Sequence, residues 1–190
     1  MSDIKFYIYM NEGYWKKFYE DCKKDKDFQI NSSFAEFCLS FIPENMKIID
    51  VGCGSGRDTY YFIKNSFNCI GIDREAPVKE FFIKDNFLNH VNDEAVYYSR
   101  FFLHSISNEE ILSFLSKANG YFMAECRSIG DNPLLYRNHD RNLIDGNWLL
   151  MSLIDNGFEV IYYQKAYGLA KFNEEDPYVI RVIARKLKKD

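Results

Sequence analysis

The sequence predicts an α/β fold of Rossmann-like type, a mostly parallel seven-stranded sheet with a C-terminal antiparallel hairpin and N-terminal helices as cover. Three observations predict it. A hydrophobic strand runs straight into a glycine loop and a helix; strand-like and helix-like blocks then alternate; and the last two strand-like blocks are separated only by Ala166 to Pro177. That separating stretch is polar and turn-like, too poor in apolar residues for a crossover helix, so the two strands flanking it should pair antiparallel.

Two amphipathic helices are expected first. Glu12 to Cys22 sets Tyr14, Trp15, Phe18 and Tyr19 at helical spacing, and Ser33 to Phe41 does the same with Phe34, Phe37, Cys38 and Phe41. Strand Lys47 to Val51, the glycine loop, a helix from Arg57 to about Asn65 and strand Asn68 to Asp73 then form a βαβ unit. Further strands are expected at Glu80 to Lys84, Ala95 to Ser99, Tyr121 to Glu125, Phe158 to Tyr163 and Tyr178 to Ala184. Helices are expected at Asn108 to Lys117 and Asn147 to Asn156. Only Arg74 to Lys79 lies between the second and third strands, so the helix usual there shrinks to about one turn containing Pro77.

The 190 residues suit one domain, with 1–45 as helical cover and 46–190 as α/β core. With 47% hydrophobic and 27% charged residues, the composition is that of a chain with a packed core. A formal net charge of -4 gives no global attraction for a nucleic acid or an anionic membrane, and neither partner is expected. The mixed-sign run Lys23 to Asp27 reads as a solvated helix end or loop. The five cysteines, Cys22, Cys38, Cys53, Cys69 and Cys126, are odd in number and never spaced CxxC, which points to reduced, mostly buried thiols in the cytoplasm and to no metal site. Met1 to Met10 lacks the apolar region of a signal peptide, and no segment reaches the ~20 apolar residues of a membrane span.

The chemistry concentrates around Asp50-Val-Gly52-Cys-Gly54-Ser-Gly56-Arg57-Asp58. Glycines in a strand-to-helix turn let backbone approach a ligand closely. A dinucleotide fingerprint, GxGxxG, would need glycine where this chain has Arg57, so its GxGxG weakens a nicotinamide reading. Asp73 ends the next strand about 20 residues on, where a carboxylate can accept from both hydroxyls of a ribose. Each feature alone is also common as plain structure: a turn that needs glycine, or an aspartate capping a helix.

In these residues the chain resembles class I S-adenosylmethionine-dependent methyltransferases, whose first motif reads acidic-x-G-x-G-x-G and whose second ends a strand in an acidic ribose ligand. The resemblance spans about Ser32 to Leu187 and includes the closing hairpin. A narrower resemblance is to bacterial methyltransferases of surface-polysaccharide gene clusters. It rests on GCGxGRD (Gly52 to Asp58), Tyr98 to His104, Gly168-Leu-Ala170, Glu175-Asp-Pro177 through Arg181, and Ser32 to Ala35. It implies S-adenosylmethionine as cofactor, S-adenosylhomocysteine as product, and contacts from Asp50, Gly52, Gly54, Gly56, Arg57, Asp73 and Ser99, with Trp15 in the cover. It also implies that Asp85, Asn86 and Phe87 meet the adenine, by a carboxylate accepting from the exocyclic amine and a ring packing on the base. An ordinary polar turn with a core Phe is the other reading of that triplet.

Methyl transfer is an in-line displacement, so a site mainly orients the acceptor and keeps water out. No (N/D)PPY block for a flipped base follows the fourth strand, where the chain reads Tyr98-Ser-Arg-Phe-Phe-Leu-His104. His104 and His139 are the candidate general bases; each could equally be satisfied structurally. Arg100, Arg127, Arg137 and Arg141 flank the rim and suit an anionic acceptor, or else pair with Asp131, Asp140 and Asp145. The expected reaction is methylation of an oxygen on a small, sugar-linked or phosphorylated metabolite by a monomer or homodimer. A nicotinamide-dependent oxidoreductase and a non-catalytic S-adenosylmethionine binder remain as alternatives.

Overall fold

In the computed structural model, which describes residues 30–131, 141–172 and 174–188, seven strands form one sheet in the order β3-β2-β1-β4-β5-β7-β6. These are β1 (Ile48–Val51), β2 (Cys69–Asp73), β3 (Phe82–Lys84), β4 (Glu94–Arg100), β5 (Asn119–Arg127), β6 (Phe158–Ala166) and β7 (Val179–Lys186). Four helices accompany them: α1 (Ser33–Cys38, prolonged by a 3₁₀ turn over Leu39–Phe41), α2 (Arg57–Lys64), α3 (Asn108–Lys117) and α4 (Gly146–Asp155). Every strand expected from the sequence is present. So is every expected helix within the described residues except the single turn at Pro77; the first, over Glu12 to Cys22, lies outside them.

β1 to β5 pair in parallel, whereas β7 runs antiparallel to both β5 and β6. The C-terminal hairpin is therefore as expected, but its second strand enters the sheet between β5 and the first. Burial along the two strands accords with β7 taking the inner place. Its burial runs unbroken from Val179 through Ala184, while β6 alternates and stands at the edge with a bulge between Val160 and Tyr162. An edge strand with a bulge resists further strand addition.

Strand alternation divides the interior into two layers. Ile49, Val51, Tyr97, Phe122, Ala124 and Val182 face α3 and α4 through Ile111, Phe114, Leu149 and Leu153. Ile48, Val96, Tyr98, Met123 and Ile183 face α1 and α2 through Phe34, Cys38 and Phe62. Helix ends are fixed locally. Ser107 and Glu110 form a reciprocal capping box on α3, Asp145 caps α4 by accepting from Asn147 and Trp148, and Ser32 caps α1 by accepting from Ala35.

The crossovers around β3 are thin. Residues 74–81 connect β2 to β3 through turns and bends with no helix, so even the single turn expected at Pro77 is absent, and Val78 is left 93% exposed. Residues 85–93 then carry the chain from β3 past β2 and β1 to β4 with one 3₁₀ turn, Phe87–Asn89. Parallel crossovers ordinarily take a dozen residues or more and a helix. This second strap is held by packing instead: Phe87 meets Phe102 at 5.0 Å and Phe114 at 5.3 Å, centroid to centroid, and Lys117 donates to the Leu88 carbonyl at 3.2 Å.

Phe114 sits at the centre of that layer, its ring against Phe87, Tyr97 and Phe122. Phe114→Ala is expected to lower unfolding free energy by about 3–5 kcal/mol through lost burial and a residual cavity. Urea denaturation followed by circular dichroism would measure it; a loss below about 1 kcal/mol would mean that the layer collapses around the void.

Candidate functional site

All strands but β7 point their carboxyl ends to one rim, where open α/β sheets bind ligands. The glycine loop lies there between β1 and α2. Gly52, Gly54 and Gly56 all have left-handed backbone, with φ of 74°, 55° and 84°. At two of them space is as restrictive as torsion: a Cβ on Gly52 would stand 2.3 Å from the Phe102 ring, and one on Gly56 2.3 Å from Phe82. The loop is pinned to β2 by Gly52 and Cys53 amides donating to the Ile72 carbonyl at 2.8 and 3.2 Å.

Asp73, at the end of β2, accepts from the Gly54 amide at 3.1 Å and from the Glu75 amide at 2.8 Å. Each oxygen so fixed retains acceptor capacity for a second donor. Burial raises its pKa, and the two amides oppose that shift. Asp50 plays a different part from the one the resemblance implies. It is 3% exposed beneath the loop and accepts from the Thr59 hydroxyl at 2.6 Å, a buttress from β1 to the first turn of α2. Burial, and then the negative charge of Asp58, push its pKa up to about 8.

Asp58, in the first turn of α2, is a hub. One oxygen accepts from the Ser32 amide at 2.8 Å; the other accepts from the Ser32 hydroxyl at 2.8 Å and the Tyr98 hydroxyl at 2.7 Å. Arg57 Nε lies 3.7 Å away. Burial and the neighbouring Arg100 lower the Arg57 pKa. The sequence alone assigns no role to Ser32, Asp58 or Tyr98. The available signal was an acid in the first turn of a helix that follows a glycine loop, where the helix dipole favours a negative charge.

Beyond it runs a row of charges across three strands. Arg100 on β4 is in register with Glu125 on β5, which is in register with Arg181 on β7. Glu125, wholly buried, accepts from Arg100 Nε at 2.8 Å and Arg181 Nε at 2.6 Å. Burial alone would lower the Arg100 pKa, but Glu125, Asp58 and Tyr98 together more than offset this and raise it. Arg181 continues to the Ser33 hydroxyl at 2.9 Å and the Leu169 carbonyl at 2.7 Å, with its guanidinium over Phe34 and Phe37. One side chain thus joins β5, β7, α1 and the segment after β6.

The remaining candidates distribute as follows. Arg127 is turned to Asp131 at 2.6 Å and to Glu175, so two of the arginines expected to meet an anionic acceptor, Arg100 and Arg127, already hold carboxylates of the chain. Arg141 begins the described stretch after residue 140 and makes interactions of its own. His104 is buried, and its Nδ1 accepts the Arg127 amide at 3.2 Å. A neutral imidazole that accepts at Nδ1 carries its proton on Nε2, which opposes the expected role of general base. Ser99 Oγ is fully buried at the end of β4 without a hydrogen-bond partner among the described residues. Phe101 follows in left-handed backbone, φ 55°, rare for a bulky residue, with Arg100 stacked on its ring at 4.3 Å.

At the adenine triplet, Asp85 is held by His90 Nε2 at 2.8 Å, a bond that lowers its pKa, while Asn86 caps the 3₁₀ turn by accepting from Leu88. Phe87 is 4% exposed and packed edge-on against Phe102 and Phe114, the contacts of a core residue rather than of a ring offered to a base. Trp15, Arg137 and His139 lie outside the described residues.

No family model matches the chain, and no curated protein matches it in sequence. Solved structures do match in shape. An S-adenosylmethionine-dependent methyltransferase from Methanosarcina mazei superposes with a TM-score of 0.64 at 17% identity, over 80% of this chain and 98% of that one. The fold is the one these methyltransferases share. A Burkholderia thailandensis 1,6-didemethyltoxoflavin N1-methyltransferase, solved with that compound and S-adenosylhomocysteine, gives 0.70 at 13% identity, over 99% and 92%. Magnesium protoporphyrin IX methyltransferase from Synechocystis, with bound S-adenosylhomocysteine, gives 0.60 at 14% identity, over 82% and 80%. None of the described helices is long and apolar enough to cross a membrane.

Two outcomes are expected of substitutions here. Glu125→Ala leaves two guanidiniums without their buried counter-charge and should cost about 3–5 kcal/mol of stability in urea unfolding. Asp50 has a folded pKa near 8 against an ordinary 3.8, so it binds its proton more tightly when folded. Its contribution is fully present below the unfolded value and lost as pH rises through the folded one. Asp50→Asn, which keeps an acceptor for Thr59, should therefore become progressively more stable relative to the parent between pH 4 and pH 8. A pH-independent difference in melting midpoint would contradict this.

Proposed function

We propose that the chain is a methyltransferase that takes its methyl group from S-adenosylmethionine and releases S-adenosylhomocysteine. The observation that carries this reading is the pairing of Asp73 with Gly54. A carboxylate at the end of β2 is fixed by the backbone of a three-glycine turn at the end of β1. The residues present fit such a cofactor. Asp73 would accept from the ribose hydroxyls, Gly52 to Gly56 would admit the amino-acid portion against bare backbone, and Asp85 and Asn86 would bound the adenine. Ser99, with a buried hydroxyl that has no partner among the described residues, and Arg57, in the first turn of α2, would complete the cofactor's surroundings.

When bound, the cofactor supplies an electrophilic methyl on a sulfonium. The chain's own part is to orient the acceptor for in-line attack and to exclude water. Phe102 packs against the glycine loop, and the Arg100–Glu125–Arg181 row holds one buried carboxylate between two fixed guanidiniums. We read the acceptor as an oxygen of a small sugar-linked or phosphorylated metabolite, as the narrower resemblance implies. Arg141 is then the candidate contact for an anionic group, because Arg100 and Arg127 are turned to carboxylates. His139 stands as the candidate base.

Calorimetry with S-adenosylmethionine, S-adenosylhomocysteine, NAD and NADP tests the reading. Selective binding of the sulfonium and its product is expected, and Asp73→Ala should weaken it about 10- to 100-fold, the worth of a charge-assisted hydrogen bond or two. Binding of a nicotinamide nucleotide alone would overturn the proposal, and sulfonium binding without transfer to any glycan-pathway metabolite would favour a non-catalytic binder.

A further inference from the structure

Arg100 is only partly spent on Glu125. A guanidinium carries N–H donors on three nitrogens, and Glu125 accepts from Nε alone, at 2.8 Å. The two Nη atoms form no hydrogen bond among the described residues, although the side chain is only 17% exposed. Glu125 also divides its single charge, because its other oxygen accepts from Arg181 Nε at 2.6 Å. The row therefore sets two guanidiniums against one carboxylate. Arg127 does not have this surplus, being held by both Asp131 and Glu175.

The guanidinium is fixed in place. Glu125 holds Nε, and the Phe101 ring lies 4.3 Å away. β1 and β4 are in register at Asp50 and Tyr98, so Arg100, two residues on, stands level with Gly52, where the glycine loop begins. By strand alternation it shares the sheet face of Tyr98, whose hydroxyl donates to Asp58 in the first turn of α2 at 2.7 Å. α2 itself starts at Gly56 without a side-chain cap. Burial and the nearby Arg100 both lower the Arg57 pKa, so two guanidiniums approach each other at this helix start. Like charges gathered at a mostly buried rim suit an anion placed beside them.

We propose that Arg100 binds the α-carboxylate of the cofactor's amino-acid portion through its Nη edge, beside the uncapped start of α2. This rests on the methyltransferase reading above. Two coplanar Nη groups match the two oxygens of a carboxylate, and the helix start adds partial positive charge to the same place. The location selects the cofactor over an anionic acceptor, because Arg100 stands level with the loop that admits the amino-acid portion. Glu125 is then a positioning residue, holding Arg100 at Nε and leaving the fork to the ligand.

S-adenosylhomocysteine and its decarboxylated analogue, which keeps the adenosine, the thioether and the amine, are titrated calorimetrically into the full chain. The parent should bind the carboxylate-bearing ligand about 10- to 100-fold more tightly, the range for hydrogen bonds to a charged group. In Arg100→Gln the two affinities should converge to within about 2-fold, with the loss falling on S-adenosylhomocysteine alone. Arg100→Lys keeps a cation for Glu125 but offers no planar fork, so it should retain only part of the preference. It also serves as the test if loss of the charge impairs folding. Equal affinities in the parent overturn the carboxylate assignment, and an undiminished preference in either variant overturns the role of Arg100; both results leave the methyltransferase reading standing. Failure of the parent to bind either ligand overturns that reading and this inference together.

Discussion

The arrangement at the carboxyl rim depends on the buried carboxylate of Asp58. It stands in the first turn of α2, two residues after the last glycine of the loop, and takes three hydrogen bonds from Ser32 and Tyr98. A buried charge with no partners would be strongly unfavourable, and one so fully satisfied fixes the positions of everything that satisfies it. Ser32 is also the cap of α1, accepting from the Ala35 amide. The start of the covering helix, the start of the loop helix and the centre of β4 are therefore set relative to one another by a single side chain.

A second constraint operates across the sheet. Arg100, Glu125 and Arg181 lie directly opposite one another on β4, β5 and β7, so the antiparallel insertion of β7 is what brings the third member into the row. Without it Glu125 would hold one guanidinium and α1 would lose its tie through Ser33. The hydrogen bonds of Asp58 and Arg181 converge on neighbouring residues, Ser32 and Ser33, from opposite sides. This double attachment makes the cover a continuation of the sheet's polar network and not merely an apolar lid. It also alters the expected chemistry, since Arg100, expected to face an anionic acceptor, is turned to Glu125.

Shape likeness at 11–17% identity accompanies a motif whose physical requirements are narrow: left-handed backbone, two glycines with no space for a Cβ, and a carboxylate one strand away. Those requirements belong to the rim and leave the length of the connections around β3 unconstrained. The shortened connections around β3 illustrate the freedom. Two crossovers that would ordinarily carry helices are reduced to turns, and the sheet remains closed on that side chiefly through Phe87, Leu88 and Val91.

The sequence by itself determined what local periodicity and torsion dictate. Short apolar blocks specified the strands, the 3.6-residue spacing in Ser33 to Phe41 and in Asn108 to Lys117 specified helices, and GxGxG after a strand specified a tight turn with Asp73 about 20 residues on. Only the tertiary structure decided which strand lies next to which, and hence the Arg100–Glu125–Arg181 row, because register is a property of pairs and not of segments. It likewise decided that Asp50 supports the loop from below and that Phe87 belongs to the core. It gave His104 an Nδ1 already occupied by the Arg127 amide. Whether a polar side chain reaches solvent or is spent on a neighbour is settled by burial and by partners distant in sequence, and neither is written in the spacing of the residues themselves.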